Sequence, residues 1–296
     1  MREEEKKKVM STEKEFLRSA HPIEPAMRAQ IMDALRDIEA KNDVSVLFAC
    51  ESGSRGWGFA SPDSDYDVRF IYVNRLPWYL TVQPRRDVIE VPISGDLDIN
   101  GWDLRKALGL MRESNPTLLE WLRSPVVYRD DATAMPRFRE LSETVFSNAR
   151  AWHHYASMAK KNFREHLQAD EVRYKKYLYV LRPLLAARWI RTQPGVPPMR
   201  FAELAQRTLD PVRDAALIAE INALLEVKMR AGEAATSPRW SGIHAFIESE
   251  LAANTAEPVT PLPRSEEAGL DAFLYETVLR FEKQKKQKKQ EEAPHG

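Results

Sequence analysis

The sequence predicts an α+β fold, a sheet-bearing N-terminal half followed by an all-helical C-terminal half. Three observations predict it. β-Branched and apolar runs at 44–50 and 65–73 sit among helical patterns up to about residue 131. From about residue 132 strand signals vanish, and helical periodicity runs through 132–168, 172–192, 211–231, 240–252 and 266–283. Finally, 43% apolar residues in a chain of 296 are enough for one large or two modest cores. The expected division is a charged lead over 1–20, an α+β domain over 21–131, a helical domain over 132–282 and a Lys-rich flexible tail over 283–296.

Each element has a local reason. Residues 1–20 are dense in charge and lack an apolar stripe, so they read as a frayed or disordered lead. A helix follows from Pro25 to about Lys41, with Met27, Ile31, Leu35 and Ile38 at helical spacing, and Asn42-Asp43 breaks it. The run Val44 to Cys50 reads as a buried strand. A small-residue turn, Ser52 to Gly58, and a polar loop, Ser61 to Ser64, lead into a second strand, Asp65 to Val73. Residues 86–93 and 97–100 read as a hairpin around Ser94-Gly95-Asp96, with Pro92 placing the first strand at an edge or bulge. Asp103 suits the N-cap of a helix carrying Leu104, Ala107, Leu108 and Met111. Asn115-Pro116 ends that helix and opens another over 117–123, and residues 126–128 read as a last short strand. In the segment 172–192, Tyr177, Leu181, Leu184 and Leu185 share a face, and Pro183 is expected to kink it.

Composition excludes several classes. No apolar run reaches the ~18 residues that a membrane span needs. The first eight residues, Met-Arg-Glu-Glu-Glu-Lys-Lys-Lys, offer no apolar core of a secretory signal. Cys50 is the single cysteine, so no intrachain disulfide can form, and a reducing, cytoplasmic setting is expected. Lys+Arg and Asp+Glu are both 44, which argues against a whole-surface nucleic-acid binder while leaving room for a local basic groove.

The chemistry concentrates at Gly53-Ser54 and Ser64-Asp65-Tyr66-Asp67. A glycine directly after a buried strand lets backbone N–H groups approach an anion, and the serine adds a hydroxyl donor. Asp65 and Asp67 stand two apart in a strand, so both carboxylates leave one face. Like charges held that close repel unless a cation lies between them. Hard oxygen ligands beside a phosphate favour Mg²⁺, or Mn²⁺ in its place. Taken alone, such a pair would more often be a turn cap and a solvated strand residue; the Gly-Ser turn upstream is what weighs against that.

Gly53-Ser54, nine residues, then Ser64-Asp65-Tyr66-Asp67 resembles the signature of the polymerase β-like nucleotidyltransferase superfamily. The longer run Glu51 to Tyr72 resembles its RNA-ligase-associated branch, RlaP, the RNA-repair-pathway nucleotidyltransferases. So do Asp98 to Leu108, Ser114 to Tyr128 and Lys176 to Leu185, and the likeness covers about residues 25–265. The resemblance implies a mixed or antiparallel sheet with flanking helices, followed by the helical domain. It implies two Mg²⁺ ions and an NTP as substrate, with Gly53, Ser54, Arg55 and Ser64 as nucleotide contacts. Arg55 could equally pair with Asp63. It also implies a third metal-binding carboxylate on a neighbouring strand. Asp98 is the choice, between Leu97 and Ile99 that face the other way; Asp96 and Glu90 lie nearby.

Between Arg150 and Arg191 ten lysines and arginines face three acids, Glu165, Asp170 and Glu171, a net +7. A triphosphate or an RNA backbone would be attracted there. Lys175, Lys176, Tyr179 and Arg182 lie near one stripe, and the resemblance implies that such a helix meets the β- and γ-phosphates; a solvated basic face is the plainer alternative. Arg69, on the face of Asp67, either tunes the carboxylates or pairs across the sheet. The expected activity is transfer of a nucleotide from an NTP to a hydroxyl with release of pyrophosphate. An RNA 3′ end is the acceptor the resemblance implies, with functional association to an RNA ligase. A protein or small-molecule hydroxyl is the alternative acceptor, and a non-catalytic nucleotide-binding module the alternative class.

Overall fold

The computed structural model describes residues 16–19, 21–230, 236–256 and 268–291. They fall into two units. The sheet unit holds Pro22–Gly56, Ser64–Ala151 and the C-terminal helix. The helical unit holds Trp57–Asp63, the helices that follow Trp152, and residues 16–19.

In the sheet unit, helix α1 (Pro25–Asn42) starts on a proline, whose missing N–H matters least at the first turn, and stops at Asp43 in the left-handed region. Strand β1 (Ser45–Glu51) leads into a short helix α2 (Gly53–Trp57), where a plain turn was expected, and then into strand β2 (Tyr66–Val73). A helical turn α3 (Leu76–Tyr79) precedes the hairpin of β3 (Val88–Glu90) and β4 (Leu97–Asp103). Pro92 lies outside β3, in keeping with its lost donor. Asp103 and Asn115 cap α4 (Leu104–Arg112) and α5 (Pro116–Leu122), accepting from Arg105 N and Leu118 N. Strand β5 (Val127–Asp130) and helix α6 (Met135–Thr144) follow.

The sheet runs β3-β4-β2-β1-β5. All neighbours are antiparallel except β2 and β4, which pair in parallel. Strand alternation sorts β2 between two cores. Val68, Phe70 and Tyr72 join Ile31, Leu35 and Ile38 of α1. Ile71 and Val73 join Leu104, Leu108, Trp121 and Phe138 on the other face. Asp67 and Arg69 share the parity of Ile71 and Val73, on the half of the strand that these apolar neighbours do not seal.

The division expected near residue 132 does not hold in this form. Helix α6 and the C-terminal helix (Ala268–Glu291) belong to the sheet unit, because Phe138, Val145, Leu270, Phe273 and Phe281 fill the same core as Leu47 and Ile71. The expected flexible tail is helical through Glu291; Glu282 pairs with Arg75 and Lys285 with Asp43. Residues 292–296 and most of the charged lead lie outside the described residues, and the buried Phe16 packs edge-on against Phe201.

From Asn148 the chain continues as α7 (Asn148–His166), β6 (Glu171–Arg173), α8 (Tyr174–Thr192), α9 (Phe201–Thr208), α10 (Ala215–Arg230), β7 (Thr236–Pro238) and α11 (Ser241–Ala256). The two-stranded ribbon β6/β7 corrects the expectation that strands cease after 132. Pro183 does not end α8. A proline there frees the carbonyl four residues earlier, and Asn162 Nδ2 donates to that carbonyl, Tyr179 O, at 2.9 Å. Among the described residues no helix is long and apolar enough to cross a membrane.

Candidate active site

The site grows from the ends of three adjoining strands. β2 and β4 set Asp67 opposite Asp98, and parallel neighbours in register point their side chains to one face. Between the carboxylates sits Arg69, whose guanidinium donates to Asp67 Oδ1 at 2.9 Å and Asp98 Oδ2 at 2.8 Å. The same side chain donates to the Val68 and Asp98 carbonyls at 3.1 Å. Of the two readings of Arg69, the pairing across the sheet is observed, to Asp98, together with a pair to Asp67 on its own strand. Asp65 stands one residue before β2 and is exposed.

Gly53 is positioned by a conformation few residues accept. Its φ is +52°, and a Cβ built on it would overlap the Asp67 carboxylate. Main chain and carboxylate are thus in direct apposition, and Ser54, on the next residue, is buried. Arg55 turns the other way. Its Nε and Nη2 donate to the carbonyls of Asp65 at 3.2 Å and Ser64 at 2.7 Å, and its guanidinium lies 3.9 Å over the Tyr66 ring. Arg55 therefore clamps the backbone that presents Asp65, and Ser64 is buried beneath it.

Sequence reasoning missed Glu51. It ends β1, is wholly buried, accepts from Asp67 N at 2.8 Å, and takes the Tyr128 hydroxyl on its other oxygen. Burial pushes its carboxyl up to about 7, against the pull of those two donors. Ser52 N also donates to Asp67 O at 2.8 Å, so the backbone of Asp67 is held from both sides. The signal available was a lone acid closing an otherwise apolar strand.

Four other expected residues lie in the helical unit, on α8. Lys176 Nζ is 3.3 Å from His166 Nε2 and 5.1 Å from the Tyr179 ring centroid. Desolvation, then Lys175 and Arg173, lowers its pKa. Tyr179 meets Trp57 edge-on at 5.6 Å. Arg182 is buried, donating to Met199 O at 3.3 Å and stacking on Trp57 at 4.9 Å. The stripe is thus split: Lys175, Lys176 and Tyr179 are partly accessible, and Arg182 is interior.

Among the described residues no three His, Cys, Asp or Glu side chains are gathered as a ready metal cluster. Asp67 and Asp98 nevertheless converge on one cationic group, and their oxygens are the hard donors that Mg²⁺ prefers. The residues present fit a divalent cation in that sense.

A family model described as "RlaP: RNA repair pathway DNA polymerase beta family" matches residues 27–276. The chain belongs to this family. The sheet unit is its polymerase β-like nucleotidyltransferase fold. The chain is also 47% identical over 225 residues to the uncharacterized protein YcgL of Bacillus subtilis (strain 168), covering 76% of this chain and 85% of that one. A crystal structure of a nucleotidyltransferase-like protein from Exiguobacterium sibiricum 255-15 aligns over 78% of this chain and 77% of that one, with 9% identity and a TM-score of 0.28. A likeness at that score carries no weight for the function of this chain.

Proposed function

We propose that this RlaP-family protein transfers a nucleotidyl group from an NTP to a hydroxyl acceptor. The observation that carries the reading is the convergence of Asp67 and Asp98 beside Gly53, where any added Cβ would overlap the Asp67 carboxylate. Backbone at Gly53 and the Ser54 hydroxyl would grip the β- and γ-phosphates. Asp65, Asp67 and Asp98 would hold Mg²⁺, which when bound polarises phosphate oxygens and stabilises the leaving pyrophosphate. The acceptor oxygen attacks the α-phosphorus, the α–β anhydride bond breaks, and pyrophosphate departs. Asp98 orients the acceptor hydroxyl and takes its proton. Glu51 and Arg55 are positioning residues, fixing the backbone of Asp67 and Asp65.

The family points to RNA, and an RNA 3′ end is the acceptor we favour, in work coupled to an RNA ligase. Lys175 and Lys176, on the helical unit, offer cationic contacts for an RNA backbone. The test is incubation with Mg²⁺ and each α-labelled NTP, with and without a pool of short RNAs, resolved on a denaturing gel. Labelled RNA supports the reading and shows the preferred base. Label on the protein overturns the choice of acceptor. Absence of both label and pyrophosphate overturns the activity.

A further inference from the structure

Within the helical unit a lysine is set against a histidine where α7 ends and α8 begins. Lys176, in the first turn of α8, puts its Nζ 3.3 Å from Nε2 of His166, the last residue of α7. An ammonium can only donate, so Nε2 is the acceptor in this contact. The His166 ring also makes a hydrogen bond to the backbone of Glu165. A neutral imidazole has one N–H, and that bond takes it on Nδ1. The tautomer is thereby set, with the Nε2 lone pair turned to the amine. Both side chains are half-buried, so a small reagent reaches them from solvent.

The surroundings favour the free amine. Burial lowers the pKa of Lys176, and the charges of Lys175 and Arg173 lower it further. Glu165 acts against them, and its carboxylate also faces Lys161, at 3.9 Å. Burial and the Lys176 charge lower the pKa of His166 as well, which keeps its imidazole neutral and able to take a proton. The ring of Tyr179 lies 5.1 Å from Nζ. An amine with a proton acceptor in contact is an activated nucleophile. Arg173 and Lys175, beside it, suit a reagent whose leaving group is an anion.

We propose that Lys176 is a site of covalent acylation by acyl phosphates. The ammonium gives one proton to His166 Nε2, which passes it to water. The free amine attacks the acyl carbon, the bond from that carbon to the bridging oxygen breaks, and inorganic phosphate leaves beside Arg173 and Lys175. The second proton lost from the nitrogen follows the first through Nε2. The product is an amide, and one positive charge of α8 is gone. The acylation does not depend on the nucleotidyl-transfer reading.

The test is incubation of the full-length protein with acetyl phosphate, then digestion and tandem mass spectrometry, following the acetylated fraction at each lysine in time. Lys161, exposed on α7 of the same unit, is the reference. Lys176 is expected to react roughly tenfold faster than Lys161 or more, as suits a nucleophile in contact with its base. In His166→Phe that advantage is lost while Lys161 is unchanged, and a melting curve checks that the variant is folded. His166→Gln, which keeps a hydrogen-bond acceptor but takes no proton, shows the same loss. Excess inorganic phosphate slows the reaction at Lys176 and not at Lys161. Three results overturn the proposal: Lys176 reacting no faster than Lys161, Lys176 keeping its rate in both His166 variants, or phosphate giving it no protection.

Discussion

The two units differ in how many of their buried polar atoms are paired. In the sheet unit the buried acids are fully engaged: Glu51 by Asp67 N and Tyr128, Asp103 by Asn74, Tyr79 and Arg105 N. In the helical unit Trp152 Nε1, Trp189 Nε1, His244 Nδ1 and Asn254 Nδ2 are buried with no partner among the described residues; in the sheet unit Trp121 Nε1 is. A completed network holds its members in one arrangement; an incomplete one is stabilised by whatever completes it. The buried acids of the sheet unit are therefore set before any ligand arrives.

The largest way to break this contrast is at the carboxylates. Asp65→Ala and Asp67→Ala are expected to lower nucleotidyl transfer by roughly a hundredfold or more, since stabilisation through a metal is worth several kcal/mol. Their melting temperatures should stay near that of the parent. A pyrophosphate assay and a thermal melt check both, and full activity in either variant would remove that residue from the site.

Gly53→Ala comes next. The added methyl meets the Asp67 carboxylate, and the backbone at φ +52° disfavours any side chain. The expected outcome is a destabilisation of about 1–2 kcal/mol with a marked loss of turnover. Gly109→Ala in the same unit, where a Cβ meets nothing within 4 Å, is expected to leave activity unchanged.

Arg69→Met sharpens the comparison by leaving Asp67 and Asp98 to repel one another. The variant should melt lower than the parent without Mg²⁺ and recover more stability when Mg²⁺ is added. Melting curves with and without the ion read this directly, and equal Mg²⁺ responses would show that the guanidinium does not stand in for a cation.

Smaller effects are expected in each unit. Asn162→Ala strips the partner from Tyr179 O and is expected to destabilise by about 1 kcal/mol, read as a drop of a few degrees. In the sheet unit, the Arg75 guanidinium holds the Glu282 carboxyl below its ordinary value. A group with a lowered folded pKa stabilises above its unfolded pKa, and the gain is lost as pH falls through the folded one. Glu282→Gln should therefore flatten the acid limb of the stability curve below about pH 4.5 and leave neutral stability a few tenths of a kcal/mol lower.

What the sequence discloses depends on how local its cause is. The strand β1 is legible because its run is apolar on both faces, β2 because its second half, Phe70 to Val73, is, and the caps Asp103 and Asn115 because a cap acts within three residues. The Gly53 turn and the Asp65–Asp67 pair are legible as a spacing. Glu51 is not, because its partners Tyr128 and Asp67 N lie 77 and 16 residues away. The ribbon β6/β7 is hidden by strands of three residues, too short for a period to show. Helix α9 sits between a Pro-Gly-rich stretch and a polar one that drown its eight residues. The division near 132 goes astray for a related reason: which core a helix fills is decided by Phe138 and Phe273 meeting at 5.5 Å, and periodicity does not name a partner.

The parallel pairing of β2 with β4 has a consequence for how this site can vary. Asp67 and Asp98 owe their separation to main-chain hydrogen bonds between neighbouring strands, a spacing of about 4.8 Å common to all sheets. The gap between the acids is thus a lattice constant rather than a packing outcome. Substitutions in the surrounding helices shift it little, and the error that ruins it is a discrete slip of one residue, which would place Leu97 or Ile99 where Asp98 stands. The site is digital in this respect: it tolerates drift around it and fails only by whole steps.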